Sequence, residues 1–472
     1  MMGHSQVATV LKRSSPLALH ADWNVSPVVP FADRHIQPLL EGRQRSHRGR
    51  VLIVTPQPFY EDRGTPIAVR YVASALSDLG LDVDLLAFPL GEAVGIKRMT
   101  MYRCANPMGL KRVPIGLSWR KLALDASLWQ SFRQLLAARR YDMVHAVEEA
   151  AYMASLLCPK HAQPFIYDMA SCLPAALQRR VLLNWAPLRR VFQVAEKRVF
   201  SSASHVVCSA GLAPYVRERS SLASVAEWRF PANLGPVVEH DVAALRAQLQ
   251  IRQGQKVLLY SGNFAGYQGI DLLVSAFAQA RRLRPELLLL CVGATSQELK
   301  ARLQNRASAD HEHIRFLPRQ TRSRIRTYTA MADVLMLPRI GADNIPLKLY
   351  DYMASGNPIV ATRQSGHDGI LSDQHAFLCA PTAESMAEAI VRVCENPDEA
   401  ALVAGEALHY AQRHFGWRAF VEFIRGTYAT AIARGVPLRA NPLARFRLNT
   451  VQPGLGSPTR RLGHAVNTTS RD

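Results

Sequence analysis

The sequence predicts an α/β fold with two parallel-sheet domains in tandem. Three observations predict it. Short, continuously apolar runs of buried-strand type recur along the chain. Helical stretches closed by glycine separate them, in the order strand, helix, Gly, strand. The pattern breaks near 227–236 and restarts at Val257, and 472 residues exceed one ordinary core.

In chain order, residues 1–48 lack periodicity and read as a disordered basic tail. Arg50–Thr55 is the first buried strand. A loop from Pro56 to Thr65 leads into a helix from about Pro66 to Leu79, closed by Gly80. Asp82–Phe88 is the next strand. Its Asp82 and Asp84 have the look of a metal-binding pair, but they alternate at a strand start, so that reading is rejected. Tyr141–Ala146, Gln163–Met169 and Ser204–Ser209 are further strands, so the first domain is placed at 49–235. His145, Glu148, Glu149 and Asp168 are expected at one sheet edge, lining an interdomain cleft. His145 is read equally well as a catalytic or a structural histidine.

The second domain is placed at 236–414. Val257–Ser261 begins its sheet and runs into the glycine-rich turn Gly262–Gly269, then a helix from Ile270 to Arg284. Such a turn can cradle phosphate with backbone N–H groups. Leu287–Gly293 and Ile314–Pro318 continue the sheet. Asp333–Leu337 is a buried strand closed by Pro338. Asn344 can cap the next helix, Pro346 suits its first turn, and Gly356 with Pro358 ends it. Asp343 and Asp351 lie eight residues apart around that helix start, with Lys348 in its first turn. A helix N-terminus with a lysine suits a phosphate, and carboxylates can accept hydrogen bonds from sugar hydroxyls. Together they suit a nucleoside diphosphate sugar, which is the ligand expected here. Phe415–Tyr428 is an aromatic amphipathic helix, its segment placed at 415–435. Residues 436–472 read as a second disordered tail.

The acid, seven-residue, acid spacing followed by Tyr352–Thr362 resembles the donor signature of the retaining family-4 glycosyltransferases, of the glycosyl transferase group 1 type. The resemblance covers roughly residues 50–430. It implies the GT-B architecture: two facing Rossmann-like domains, a central cleft and a C-terminal crossover helix. It also implies retaining transfer of a sugar from a nucleotide sugar to a hydroxyl, in cell-surface polysaccharide or glycolipid assembly. No metal or cofactor is implied, because the helix dipole and Lys348 can neutralise the leaving diphosphate. In family terms the first domain takes the acceptor and the second the nucleotide-sugar donor, with Asp343 on the transferring sugar and Asp351 on the ribose. Leu347 precedes Lys348 at the same site. Arg63, Gly64 and Thr65 match the loop facing the diphosphate and acceptor. The loop at Pro318 matches the place that holds the base. The sequence departs from the family at five positions. Asp stands at both acidic positions where Glu is usual. Asn263 and Gln268 stand where Arg and Lys are common, leaving Lys348 and Arg339 as candidate cations. Ala170 stands near the family histidine position.

The net charge is +20. Ten Lys or Arg residues fall between Lys97 and Arg140 against one acid, Asp125. Within this segment Leu124, Leu128, Phe132 and Leu135 have helical spacing, joined by Trp129 and Leu136. The helix can lie on an anionic membrane surface or pack on the sheet, or do both with different faces. Nucleic acid is a poorer use of the charge, since no recognised motif accompanies it. No long uncharged apolar run and no signal-peptide core occur, so a cytoplasmic location is expected, with peripheral contact to the membrane face as its second form. The seven scattered cysteines read as reduced thiols. The rival readings are a nucleotide-sugar epimerase, a glycosyl phosphorylase, and a degenerate GT-B protein that binds membrane or a partner.

Overall fold

The computed structural model describes residues 28–30, 49–62, 64–113, 118–172, 186–220, 224–232, 237, 239–298, 312–341, 345–364, 367 and 369–435. All fall in one compact unit, Met1–Val436. Arg63, Asp343, Asn344 and the segment 436–472 lie outside the described residues.

The first sheet has eight parallel strands. They are β1 (Val28–Pro30), β2 (Arg50–Pro58), β3 (Asp82–Phe88), β4 (Met99–Arg103), β5 (Met143–Val147), β6 (Phe165–Met169), β7 (His205–Cys208) and β8 (Ser224–Glu227). Their order across the sheet is β1-β4-β3-β2-β5-β6-β7-β8. Helix α1 (Gly64–Asp78) follows β2, α2 (Trp119–Ala138) follows β4 and α3 (Ala150–Leu157) follows β5. α4 (Ala186–Ser202) leads into β7, and α5 (Ala213–Arg219) follows it. The second sheet begins after α6 (Glu239–Gln248). Its strands are β9 (Lys256–Ser261), β10 (Leu287–Ala294), β11 (Ile314–Pro318), β12 (Val334–Leu337), β13 (Ile359–Thr362) and β14 (Phe377–Cys379). Their order is β11-β10-β9-β12-β13-β14, again all parallel. Its helices are α7 (Ile270–Leu283), α8 (Arg322–Met331), α9 (Lys348–Met353), α10 (Ala383–Glu395) and α11 (Pro397–His414).

Parallel strands covered on both faces carry uninterrupted apolar runs, which is why these strands were legible. Three corrections concern the first domain. Val28–Pro30, expected to belong to a structureless tail, adds a strand to β4. Three residues are too few for a period to show. Met99–Arg103, within the basic stretch, is also a strand, short and ending in a charge. Gly64 and Thr65 begin α1 and do not lie in a loop.

The apolar stripe of α2 packs into the first core: Leu124, Leu128, Phe132, Leu135 and Leu136 are buried. Ser118 caps the helix by accepting from the Lys121 N–H at 3.2 Å. Trp119 and Leu122, at its start, are exposed. The aromatic helix of the sequence is α12 (Trp417–Gly435), which packs on α1 and on β6, β7 and β8. Phe420, Ile424, Tyr428 and Ala431 are buried at helical spacing. Trp417 Nε1 donates to Asp78 Oδ2 at 2.9 Å.

Aromatic side chains join the two sheets. Trp228 and Phe230, just after β8, stack at 4.8 Å. Phe230 meets Tyr350 of α9 edge-on at 6.0 Å and Phe420 of α12 at 6.1 Å. Tyr350 also donates to the Trp228 carbonyl at 3.2 Å. The first residues after the first sheet, the crossover helix and the donor-signature helix therefore share one cluster.

Candidate functional site

An open parallel sheet binds ligands at the carboxyl ends of the two strands between which strand order reverses. In the second sheet these are β9 and β12. Gly262 follows β9; Pro338 and Arg339 follow β12. Candidates from distant parts of the sequence meet there.

The close packing explains the glycines. Gly269 has φ +70, and a Cβ on it would lie 1.7 Å from the Pro338 carbonyl oxygen. The loops after β9 and β12 touch at that point, and Ile340 N donates to Tyr267 O at 2.9 Å. Gly262 has φ +147, and a Cβ there would lie 2.5 Å from Lys348 Nζ. A side chain would displace the ammonium group.

Lys348 is the first residue of α9, two places beyond Pro346. Its Nζ donates to Gln268 Oε1 at 3.3 Å and lies 4.0 Å from the centre of the Tyr260 ring. Gln268 Oε1 also accepts from Tyr260 Oη at 3.1 Å. Among the described residues no carboxylate pairs with Lys348. Burial, and next the nearby Arg339 charge, hold its pKa well below the usual lysine range. Arg339 is only 1% exposed, against the face of Tyr267. Its charge acts from beneath the site. His367 is buried beside them, and desolvation, then Arg339, lowers its pKa to about 4. Asn263 is exposed, and its carbonyl accepts from Tyr260 Oη at 2.6 Å.

Three consecutive residues of the signature reach three different elements. Tyr350 goes to Trp228, as described. Asp351 Oδ2 pairs with Arg322 of α8 at 3.4 Å. Tyr352 Oη accepts from the Ser261 N–H at 3.0 Å and so pins α9 to the end of β9. Arg322 also lies 5.1 Å from the ring centre of Tyr71 on α1, so the Asp351 position is linked to the first domain. The Gly-Asn-Pro tail has a structural part. Asn357 Nδ2 donates to the Thr329 and Ala332 carbonyls at 2.7 and 3.0 Å, tying this turn to the end of α8.

The other expected residues divide. Leu347 precedes Lys348 in the tight entry turn. Pro318 ends β11 and is exposed; Gly64 is exposed at the start of α1. Thr65 follows it. His145 is inside β5 and 1% exposed, not on an open edge. Its Nε2 lies 3.3 Å from Asp168 Oδ2, and its Nδ1 lies 2.8 Å from Tyr428 Oη of α12. Asp168 also accepts from Trp228 Nε1 at 2.8 Å. The histidine thus sits in the seam that holds the crossover helix, because β5 buries both faces. Asp84, set aside as a metal ligand, is buried and paired with Arg139 at 2.9 Å and Arg50 at 3.5 Å. Sequence reading missed Tyr260, Arg322 and His367, and the Ser261 partner of Tyr352. Their signal is spatial: Arg322 stands 29 positions before the acid it meets.

Two Rossmann-like domains joined by a returning C-terminal helix, each with loops at its own switch point, define the GT-B class of fold. Comparisons with known proteins agree. The model described as Glycosyl transferases group 1 matches residues 241–407, and the Glycosyl transferase 4-like domain matches 63–233. The chain belongs to the group 1 glycosyltransferases of the family-4 type. It is 22% identical over 413 residues to a phosphatidyl-myo-inositol mannosyltransferase of Mycolicibacterium smegmatis, covering 84% of this chain and 97% of that one. It is 29% identical over 209 residues to a D-inositol 3-phosphate glycosyltransferase of Saccharomonospora viridis, covering 42% and 48%. The chain spans about half the length of the first curated relatives it matches. Among solved structures, a sucrose-phosphate synthase from Thermosynechococcus elongatus superposes with TM-score 0.66 at 20% identity, over 82% of this chain and all of that one. Anabaena HepE in complex with UDP and glucose superposes with TM-score 0.62 at 18% identity, over 81% and 100%.

Proposed function

We propose that this chain transfers a sugar from a nucleoside diphosphate sugar to a hydroxyl acceptor, with the anomeric configuration retained. One observation carries the reading. A lysine whose charge is disfavoured by burial and a neighbouring arginine stands at the ligand-binding end of the second sheet. An anion placed there restores its charge, and a leaving diphosphate is such an anion. HepE, of similar fold, was solved with UDP and glucose. Lys348 holds the diphosphate, with Gln268, Asn263 and the Gly262 backbone alongside it and Arg339 beneath. Asp351 faces the ribose, in exchange with Arg322. Asp343 contacts the transferring sugar. Pro318 borders the base; Leu347, Gly64 and Thr65 border the diphosphate. His145 acts through the seam to α12. Front-face attack assisted by the leaving phosphate accounts for retention without a metal.

The acceptor is a saccharide or a lipid-linked hydroxyl. Among the described residues no helix is long and apolar enough to cross a membrane. Exposed Trp119 and Leu122, with Arg120 against the Trp119 ring, and exposed Lys111 and Arg112 earlier in the chain suit peripheral contact with an anionic leaflet on the cytoplasmic side. The test is a panel of UDP-, GDP- and ADP-sugars by thermal shift, then hydrolysis of any stabilising donor. A stabilising, hydrolysed donor supports the reading. No shift at millimolar ligand overturns it and favours a non-catalytic GT-B protein. Binding to anionic vesicles should fall as salt rises; equal binding to neutral vesicles would remove the membrane part.

A further inference from the structure

Asp351 already has a partner in the chain. The nearest approach of the Arg322 guanidinium to its Oδ2 is 3.4 Å. A charge-assisted hydrogen bond between such groups is usually about 2.7–2.9 Å, and an arginine commonly makes two of them side by side. This pair is therefore loose. Both side chains are partly exposed, at 28% and 23%, so a ligand can reach them.

The arginine is held from its other side. Its guanidinium carbon lies 5.1 Å from the ring centre of Tyr71, on α1 of the first domain, within the range of cation–π attraction. Tyr71 is itself wedged in place. Its ring meets Phe230 at 6.5 Å, and Trp417 and Phe420 of α12 at 6.3 and 6.1 Å. The guanidinium is thus shared between an acid of the second domain and a fixed aromatic ring of the first. Helix stability does not account for it. Arg322 is the first residue of α8, where the helix dipole disfavours a cation. Thr321 already caps that helix by accepting from the Arg324 N–H at 3.4 Å.

We propose that Arg322 is a gate on the ribose position: Tyr71 holds the guanidinium back from Asp351 and so keeps the carboxylate available to the ribose hydroxyls of a nucleoside diphosphate. The proposal rests on the reading of Asp351 as the ribose acid. A carboxylate gripped at both oxygens by an arginine has little acceptor capacity left, whereas one held loosely accepts from a vicinal diol. Tyr71 then acts on nucleotide affinity through Arg322, as a positioning residue. Because Tyr71 is packed by Phe230 and the crossover helix, the ribose position is open only where the first domain is seated against α8.

The experiment measures, by titration calorimetry on the full chain, the affinity of UDP, GDP and ADP, each beside its 2′,3′-dideoxy form. Wild type, Arg322→Ala, Tyr71→Leu, Tyr71→Phe and the double variant of Arg322→Ala with Tyr71→Leu are compared, with melting curves as fold controls. The ribonucleotide that wild type binds should gain about fivefold in Arg322→Ala and lose about fivefold in Tyr71→Leu. Tyr71→Phe keeps the ring and should stay closer to wild type than Tyr71→Leu. The double variant should match Arg322→Ala, because Tyr71 has no other route to the nucleotide. The dideoxy form makes no demand on Asp351 and should bind every variant alike. Unchanged or weaker ribonucleotide binding in Arg322→Ala overturns the gate. So does a Tyr71→Leu loss that persists in the double variant, which would make Tyr71 a direct contact. If Tyr71→Leu does not fold, the Arg322→Ala gain and its absence with the dideoxy form decide. The two readings fail differently. No binding of any of these nucleotides by wild type strikes the donor site and the gate together, while a ribose preference that Arg322→Ala leaves unchanged strikes the gate alone.

Discussion

The two switch points have the same topology and opposite chemistry. In the second sheet the strand-end loops present Lys348 and Arg339, and close backbone contacts at Gly262 and Gly269 bring the cations together. In the first sheet the same place presents Glu148, Glu149 and Asp168, with a strained backbone at Glu148. Burial acts on both and pushes the pKa values apart, lysine down and carboxyl up. The parallel sheet determines where a ligand sits. The few residues after two strands determine whether cations or carboxyls gather there.

The comparison breaks most sharply at Gly269. Glycine there permits both a left-handed φ and contact with the Pro338 carbonyl. Gly269→Ala should cost about 3 kcal/mol or more, from strain and overpacking together. Chemical denaturation would read it. Gly64→Ala, with nothing near its Cβ, is the control and should change stability little. Equal stability of the two variants would show that the β9 and β12 loops do not need their close approach.

Lys348→Ala is expected next in size. Losing a charge-assisted contact to the diphosphate should cost about 1.5–3 kcal/mol, or roughly tenfold to a hundredfold in nucleoside diphosphate affinity. Affinity for the nucleoside alone should hardly move. Titration calorimetry with UDP and uridine tests this, and equal weakening of both would remove Lys348 from the diphosphate.

The smallest effect concerns the acidic switch point. The Glu148 carboxyl is raised from the ordinary value of 4.5 to about 8 in the folded chain. Between those pH values the folded state binds the extra proton. Its contribution to stability is full below about 4.5 and is lost as pH rises through about 8. Glu148→Gln should flatten that decline in the melting temperature. An unchanged slope would place the carboxyl among ordinary solvated acids.

The sequence alone determined the central strands of both sheets, because buried parallel strands are apolar from end to end; the short edge strands β1, β8 and β14 and the strand β4 were not legible in it. It also determined the Lys348–Asp351 signature, whose residues are neighbours in the chain. Only the tertiary structure decided what those residues touch. Tyr350, Asp351 and Tyr352 are consecutive, yet they meet Trp228, Arg322 and Ser261. A helix turns each side chain by about 100°, so adjacent residues face different elements, and those elements are chosen by packing. His145 shows the same limit. Its position before two glutamates read as an open strand end, but α12 returns across 283 positions to place Tyr428 on it. Local pattern sets strand and helix because it acts through neighbouring dihedrals and periodic burial. Burial, charge environment and partners depend on contacts between segments far apart in sequence, and these exist only once the two sheets and the crossover helix have packed.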